Sequence, residues 1–150
     1  MVTVRSATPW HLWVVGLLAL MFTAFGGYDY TMSQLGDRDY IAAAMGPMGV
    51  DPDVALAHME AFPLWMDFVW AIGVWGGVAG ALLLLFRSRF AYPVLLMALV
   101  AFIVSNAYGI ANPIPGMDPS AVFMPVAVIF VVMVGLVLYA RAMRRRGVLR

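Results

Sequence analysis

FPLWMDFVWAIGVWGGVAGALLLLFRSRF, residues 62–90, begins with aromatic side chains, is rich in glycine through its middle and closes on two arginines. Between Pro63 and Phe86 it carries a single charge, Asp67. About 20 largely apolar residues suffice for a helix to cross a hydrocarbon core of roughly 30 Å, so this stretch reads as a membrane span. With successive side chains turned by about 100°, Gly73, Gly76, Gly77 and Gly80 fall within an arc of about 100°, and Met66, Val69 and Leu84 share that stripe. Lipid is as apolar as leucine, so helices associate in it by close packing, and small residues at this spacing let a second backbone approach. The stripe therefore predicts a packing seam, against a helix of the same bundle, another membrane protein or a second copy.

The rest of the chain extends this reading. Of 150 residues, 64% are hydrophobic and 11% charged, which lies far outside the soluble globular range. Four stretches have the length and polarity of spans, approximately 10–30, 63–86, 90–110 and 121–139. The alternation that marks an outer-membrane barrel is absent. The expectation is a single all-α domain over residues 1–150, a polytopic membrane protein built as an up-and-down bundle of four transmembrane helices. Span one is too long for the core of a signal peptide, and Trp10, Trp13, Tyr28 and Tyr30 flank it as interfacial anchors, so it is read as a retained span.

Charge sets the expected orientation. There is no lysine, and eight of the nine arginines (Arg5, Arg87, Arg89, Arg141, Arg144, Arg145, Arg146 and Arg150) lie at the N-terminus, in the second connection or after span four. The positive-inside rule places these segments in the cytoplasm, and four spans independently return both termini to one side. Only Arg38 falls in an outer connection. The basic tail reads as a topology anchor at the lipid surface, and nucleic acid is not an expected partner.

Thr8 and Pro9 are placed as cap and first-turn residue of the first helix. The first outer connection, about residues 31–61, opens past a helix stop at Gly36 and holds Gly46, Pro47 and Gly49 as breakers. Asp51 and Pro52 then start a short amphipathic helix, VALAHMEAF, expected to rest on the outer surface. The second connection is a tight turn. The third, ANPIPGMDPS, repeats the cap-and-proline device at Asp118 and Pro119, and Pro125 lies inside span four.

Polar residues within spans are costly, and each is a candidate for function. Tyr28, Asp29, Asp67, Ser105, Asn106 and Tyr108 all map near the outer surface. Tyr28, Asp29, Arg38, Asp67, Asn106 and Tyr108 are the expected members of an outer polar pocket, with Arg38 as partner of Asp29 or Asp67. The competing reading of Asp67 is a helix-dipole interaction in the first turns of span two. On the helix wheel it lies about 120° from Gly73, away from the glycine seam.

Other chemistries find little support. There is no cysteine, hence no disulfide, thiolate site or thiol nucleophile. His11 and His58, the two histidines, lie on opposite sides of the membrane and cannot both hold one haem. His58 and Met59, with Met45 and Met48, are the residues a Cu(I) site would use, but twelve methionines in an apolar chain need no metal to explain them. No serine nucleophile motif, phosphate loop or zinc pair is present, so no catalytic residue, metal or cofactor is assigned.

WHLWVVGLLAL, FGGYDYTMSQ, FPLW, AIGVWGG and LLLLFRSRF, in this order and spacing, resemble a largely uncharacterised family of small four-span proteobacterial inner-membrane proteins. Some of its members carry an automatic label of sugar transporter. The likeness covers roughly residues 10–110; the last span matches only in being hydrophobic, and AAAMGPMGVD departs from the pattern. It implies residence in the bacterial inner membrane and the four-span plan, and no site residues. Two roles follow as expectations: an accessory or assembly subunit docking onto a larger membrane complex, or a small-solute transporter, sugar-type or proton-coupled, acting as a homo-oligomer.

Overall fold

The structure, a computed structural model, describes residues 8–150; Arg5 lies outside the described residues. Six α-helices follow one another: α1 Trp10–Gln34, α2 Arg38–Met45, α3 Pro52–Glu60, α4 Leu64–Leu85, α5 Ala91–Ala111 and α6 Pro119–Arg145, with a 3-10 turn Gly46–Met48 between α2 and α3. No strand occurs among the described residues. α1, α4, α5 and α6 are each long and apolar enough to cross a membrane, and the protein is an all-α, multi-pass membrane bundle. Large apolar side chains such as Trp13, Leu18, Phe25 and Phe68 are exposed on its flanks, as lipid contact requires.

α4 lies between α1 and α5, and α5 in turn packs on α6. The glycine seam is the reason. A Cβ placed on Gly73 would meet the backbone of Phe102 at 3.4 Å, one on Gly76 would meet Ala98 Cβ at 3.2 Å, and one on Gly80 would fall 2.5 Å from Leu95. These three glycines face α5 in antiparallel register. Gly77 turns the other way, to Thr23 of α1. Leu12, Gly16, Ala19, Thr23 and Gly27 form the matching buried stripe of α1. Within the chain the seam is thus taken up by α5 and α1, with Gly76, Gly77 and Gly80 buried.

Two ends differ sharply. At the arginine end, the last residues fold back under the α4–α5 turn. Arg150 N–H donates to Arg87 O and Arg89 N–H donates to Arg150 O, each at 2.7 Å, which buries Val148 and Leu149 in the main core. Arg87 is the one described non-glycine residue with positive φ, 59°, a conformation that costs roughly 1–2 kcal/mol and is held by these bonds. There too, His11 Nδ1 lies 2.6 Å from the Tyr139 hydroxyl and joins α1 to α6.

The opposite end carries α2 and α3, which pack together around Ile41, Val50 and Ala55, with Ile114 and Met117 from the α5–α6 connection against them. α3 begins as the sequence predicts: Asp51 caps it by accepting from Asp53 N–H at 2.9 Å. α6 likewise starts on Asp118 and continues through Pro125. α1 runs four residues past the predicted span and stops at Gly36, φ 64°, where the sequence places its end. Two details differ from expectation. Pro9, not Thr8, occupies the N-cap of α1, and no side chain caps that end. And α2 is an additional helix, capped by Asp37 accepting from Tyr40 N–H, in a stretch the glycines suggest is loop.

Candidate functional site

α1 and α6 are joined at the arginine end but are not packed along their length. Between them the bundle opens into a cavity of about 370 Å³, walled by all four spans: Phe22, Thr23, Phe25, Gly26 and Asp29 of α1; Trp70, Gly73, Val74 and Gly77 of α4; Phe102, Ser105 and Asn106 of α5; and Val126, Ile129 and Met133 of α6. At a rise of about 1.5 Å per residue, Asp29 lies about 8 Å inside the end of α1, whereas Met133 lies about 21 Å along α6. The cavity therefore reaches from the α2–α3 end to mid-membrane.

Its lining is apolar except at four places. Thr23 and Ser105 donate their hydroxyl protons to carbonyls of their own helices, Ala19 O at 2.8 Å and Phe102 O at 3.1 Å. Asn106 Nδ2 donates to the same Phe102 O at 2.8 Å. A carbonyl only accepts, so this contact fixes which end of the amide is nitrogen. Asp29 receives the Tyr40 hydroxyl on Oδ1 at 2.7 Å, which ties α2 to α1 beside the cavity. Burial, helped by the Asp29 carboxylate, pushes the Tyr40 hydroxyl up to about 12.

The six residues of the expected outer pocket are dispersed by this geometry. Asp29 and Asn106 share the cavity. Tyr28, about 100° further round α1, packs edge-on against Tyr40, ring centroids 5.5 Å apart. Tyr108 lies about 200° round α5 from Asn106 and packs on Phe62 and Trp65. Asp67 sits outside the cavity, within electrostatic range of Tyr30. Arg38 pairs with neither Asp29 nor Asp67. Its Nε and Nη2 grip both carboxylate oxygens of Asp53 at 2.8 and 3.0 Å, because α2 carries it outward toward α3. That contact holds Asp53 below the ordinary carboxylate range and raises Arg38.

Thr23, Tyr40 and Trp70 belong to the site without having been singled out. A threonine in an apolar helix gives a signal at Thr23; for Tyr40 the signal is weaker, since its contact depends on the chain reversing at Gly36. Met45, Met48 and Met59 pack into the α2–α3 core, and the His58 ring packs on Phe62. No group of three or more His, Asp or Glu placed to hold a metal occurs among the described residues. No family model, curated protein or solved structure matches this chain.

Proposed function

We propose that the protein binds a small, largely apolar molecule in the cavity between its four spans, as the solute-handling component of a bacterial inner membrane. The cavity carries the reading. Its volume of about 370 Å³ falls within the range of about 300–1,000 Å³ typical of ligand pockets, and it combines apolar walls with a few fixed polar groups. The distribution of arginines supports cytoplasmic termini, which puts the α2–α3 end of the bundle, and Asp29 with it, toward the outer face. Such apolar walls fit a sugar poorly, so the transported or sensed solute is of another class.

An accessory role has support only in small size and the absence of catalytic patterns, since the glycine seam is covered. A larger complex co-purifying in gentle detergent is the result that would favour it.

Gly26 offers a direct test. A Cβ there would meet nothing within 4 Å, and the residue lines the cavity, so Gly26→Leu takes up cavity space from a position with room for its Cβ. Protein extracted with its surrounding lipid is analysed by mass spectrometry for small molecules that travel with it. A species enriched on the wild type and lost from an equally stable Gly26→Leu variant is the expected result. Identical molecules on both proteins would refute the binding role.

A further inference from the structure

We infer that the ligand is an organic cation: a quaternary or protonated amine carried on an apolar, aryl-sized body. This assignment rests on the cavity being a ligand site and adds its charge.

Three independent features converge on it. The first is a carboxylate without a counter-charge. Asp29 is the only charged residue on the cavity wall, and among the described residues the only ion pair is Arg38 with Asp53. Tyr40 occupies one oxygen of Asp29, which leaves Oδ2 for a ligand. The second is the direction of the hydrogen bonds. Thr23 and Ser105 have spent their protons on backbone carbonyls and present lone pairs, as does Asn106 Oδ1. What remains to donate is one amide N–H of Asn106 and the indole N–H of Trp70. A ligand bearing donors or positive charge is matched; an anion is repelled. The third is the aromatic wall. Phe22, Trp70 and Phe102 come from three different helices and line the same space, and a ring face attracts a cation, most strongly where water is excluded.

The field outside the cavity works in the same direction. All eight acidic residues of the chain fall at the α2–α3 end or in the adjoining ends of the spans, with one arginine, Arg38, among them. Clefts bordered by one sign of charge raise the local concentration of the opposite ion and speed its capture.

The test uses two probes of nearly equal shape, benzyltrimethylammonium and its neutral isostere neopentylbenzene. Binding is read from tryptophan fluorescence of the full chain in lipid nanodiscs, with empty nanodiscs as the partition reference. The cation should bind roughly tenfold or more tightly than the isostere, the scale expected for cation–π and charge-assisted contacts. Asp29→Asn should erase that preference, since asparagine keeps an acceptor for Tyr40 and removes only the charge. Phe22→Leu, which leaves the carboxylate and every tryptophan in place, should weaken the cation more than the isostere. If the isostere binds as tightly as the cation, or if Asp29→Asn leaves the cation's affinity unchanged, the charge assignment is wrong while an apolar pocket survives. If neither probe binds, both the pocket and its charge preference fall.

Discussion

Replacing single glycines of α4 by alanine grades the packing of the bundle. At Gly80 the new methyl would lie 2.5 Å from Leu95 Cδ2 and 2.6 Å from its Cγ, where ordinary carbon contacts need about 3.5–4.0 Å. Leu95 is fully buried, so its side chain has no free space in which to retreat and α4 and α5 must separate. Overpacking of this kind costs about 1–3 kcal/mol, and the better helix propensity of alanine returns at most about 1 kcal/mol. Gly80→Ala should therefore lose about 1–2 kcal/mol. Gly76→Ala, whose methyl would sit 3.2 Å from Ala98 Cβ, requires a shift of a few tenths of an ångström and should come close to neutral. Gly135→Ala meets nothing within 4 Å and should be neutral or stabilising. Reversible unfolding in mixed micelles measures all three. A Gly80→Ala protein as stable as Gly135→Ala would refute the close approach of α4 to α5.

Three further outcomes are expected. Val148→Ser removes a side chain that is 3% exposed at the arginine end, where water is the competing solvent, and should cost about 2 kcal/mol by the same unfolding assay. Burial and the Asp29 carboxylate push the Tyr40 hydroxyl up to about 12 from an ordinary 10.0, so the stabilisation from keeping it protonated is full below pH 10 and is lost as the pH rises through about 12; in an absorbance titration of ionised tyrosine, Tyr40→Phe should reduce the high-pH part of the curve by one tyrosine, and a curve that loses only signal near pH 10 would exclude this assignment. The chain has no cysteine, so a single Glu60→Cys should react with an impermeant maleimide on intact cells and a single Arg89→Cys only after permeabilisation; the reverse pattern would invert the proposed orientation.

The spans were legible because bilayer thickness imposes a length and a polarity that sequence displays directly. Caps at Asp51 and Asp118 were legible for a similar reason: an acceptor before a proline at a helix start is a local event. The partners were harder to read. The glycine seam could be recognised on α4, yet whether it is internal depends on Ala98 and Leu95 arriving from α5, residues with no mark of their own. α2 was obscured by Gly36, Gly46 and Gly49, although Asp37 before RDYIAAAM is itself a cap followed by helix formers. Arg38 illustrates the same limit. Charge alone matched it to Asp29 or Asp67, but the turn at Gly36 and the cap at Asp37 aim it at Asp53, 15 residues away, and bring Tyr40 to Asp29 instead.

The cavity itself follows from how small residues are distributed among the spans. In lipid no hydrophobic drive closes a gap between two apolar helices, so a gap persists wherever close packing is not specified. α4 and α5 are drawn together by Gly73, Gly76 and Gly80, and α1 reaches α4 through Gly16, Thr23 and Gly27. α6 offers α1 no comparable stripe: Gly135 faces open space, and the wall it presents is Val126, Ile129 and Met133. A polar contact, His11 with Tyr139, joins these two helices at one end. Joined at the arginine end and unpacked along the rest of the α1–α6 boundary, the bundle keeps a cavity between its spans, and the one carboxylate on its wall stands at the end nearer α2 and α3.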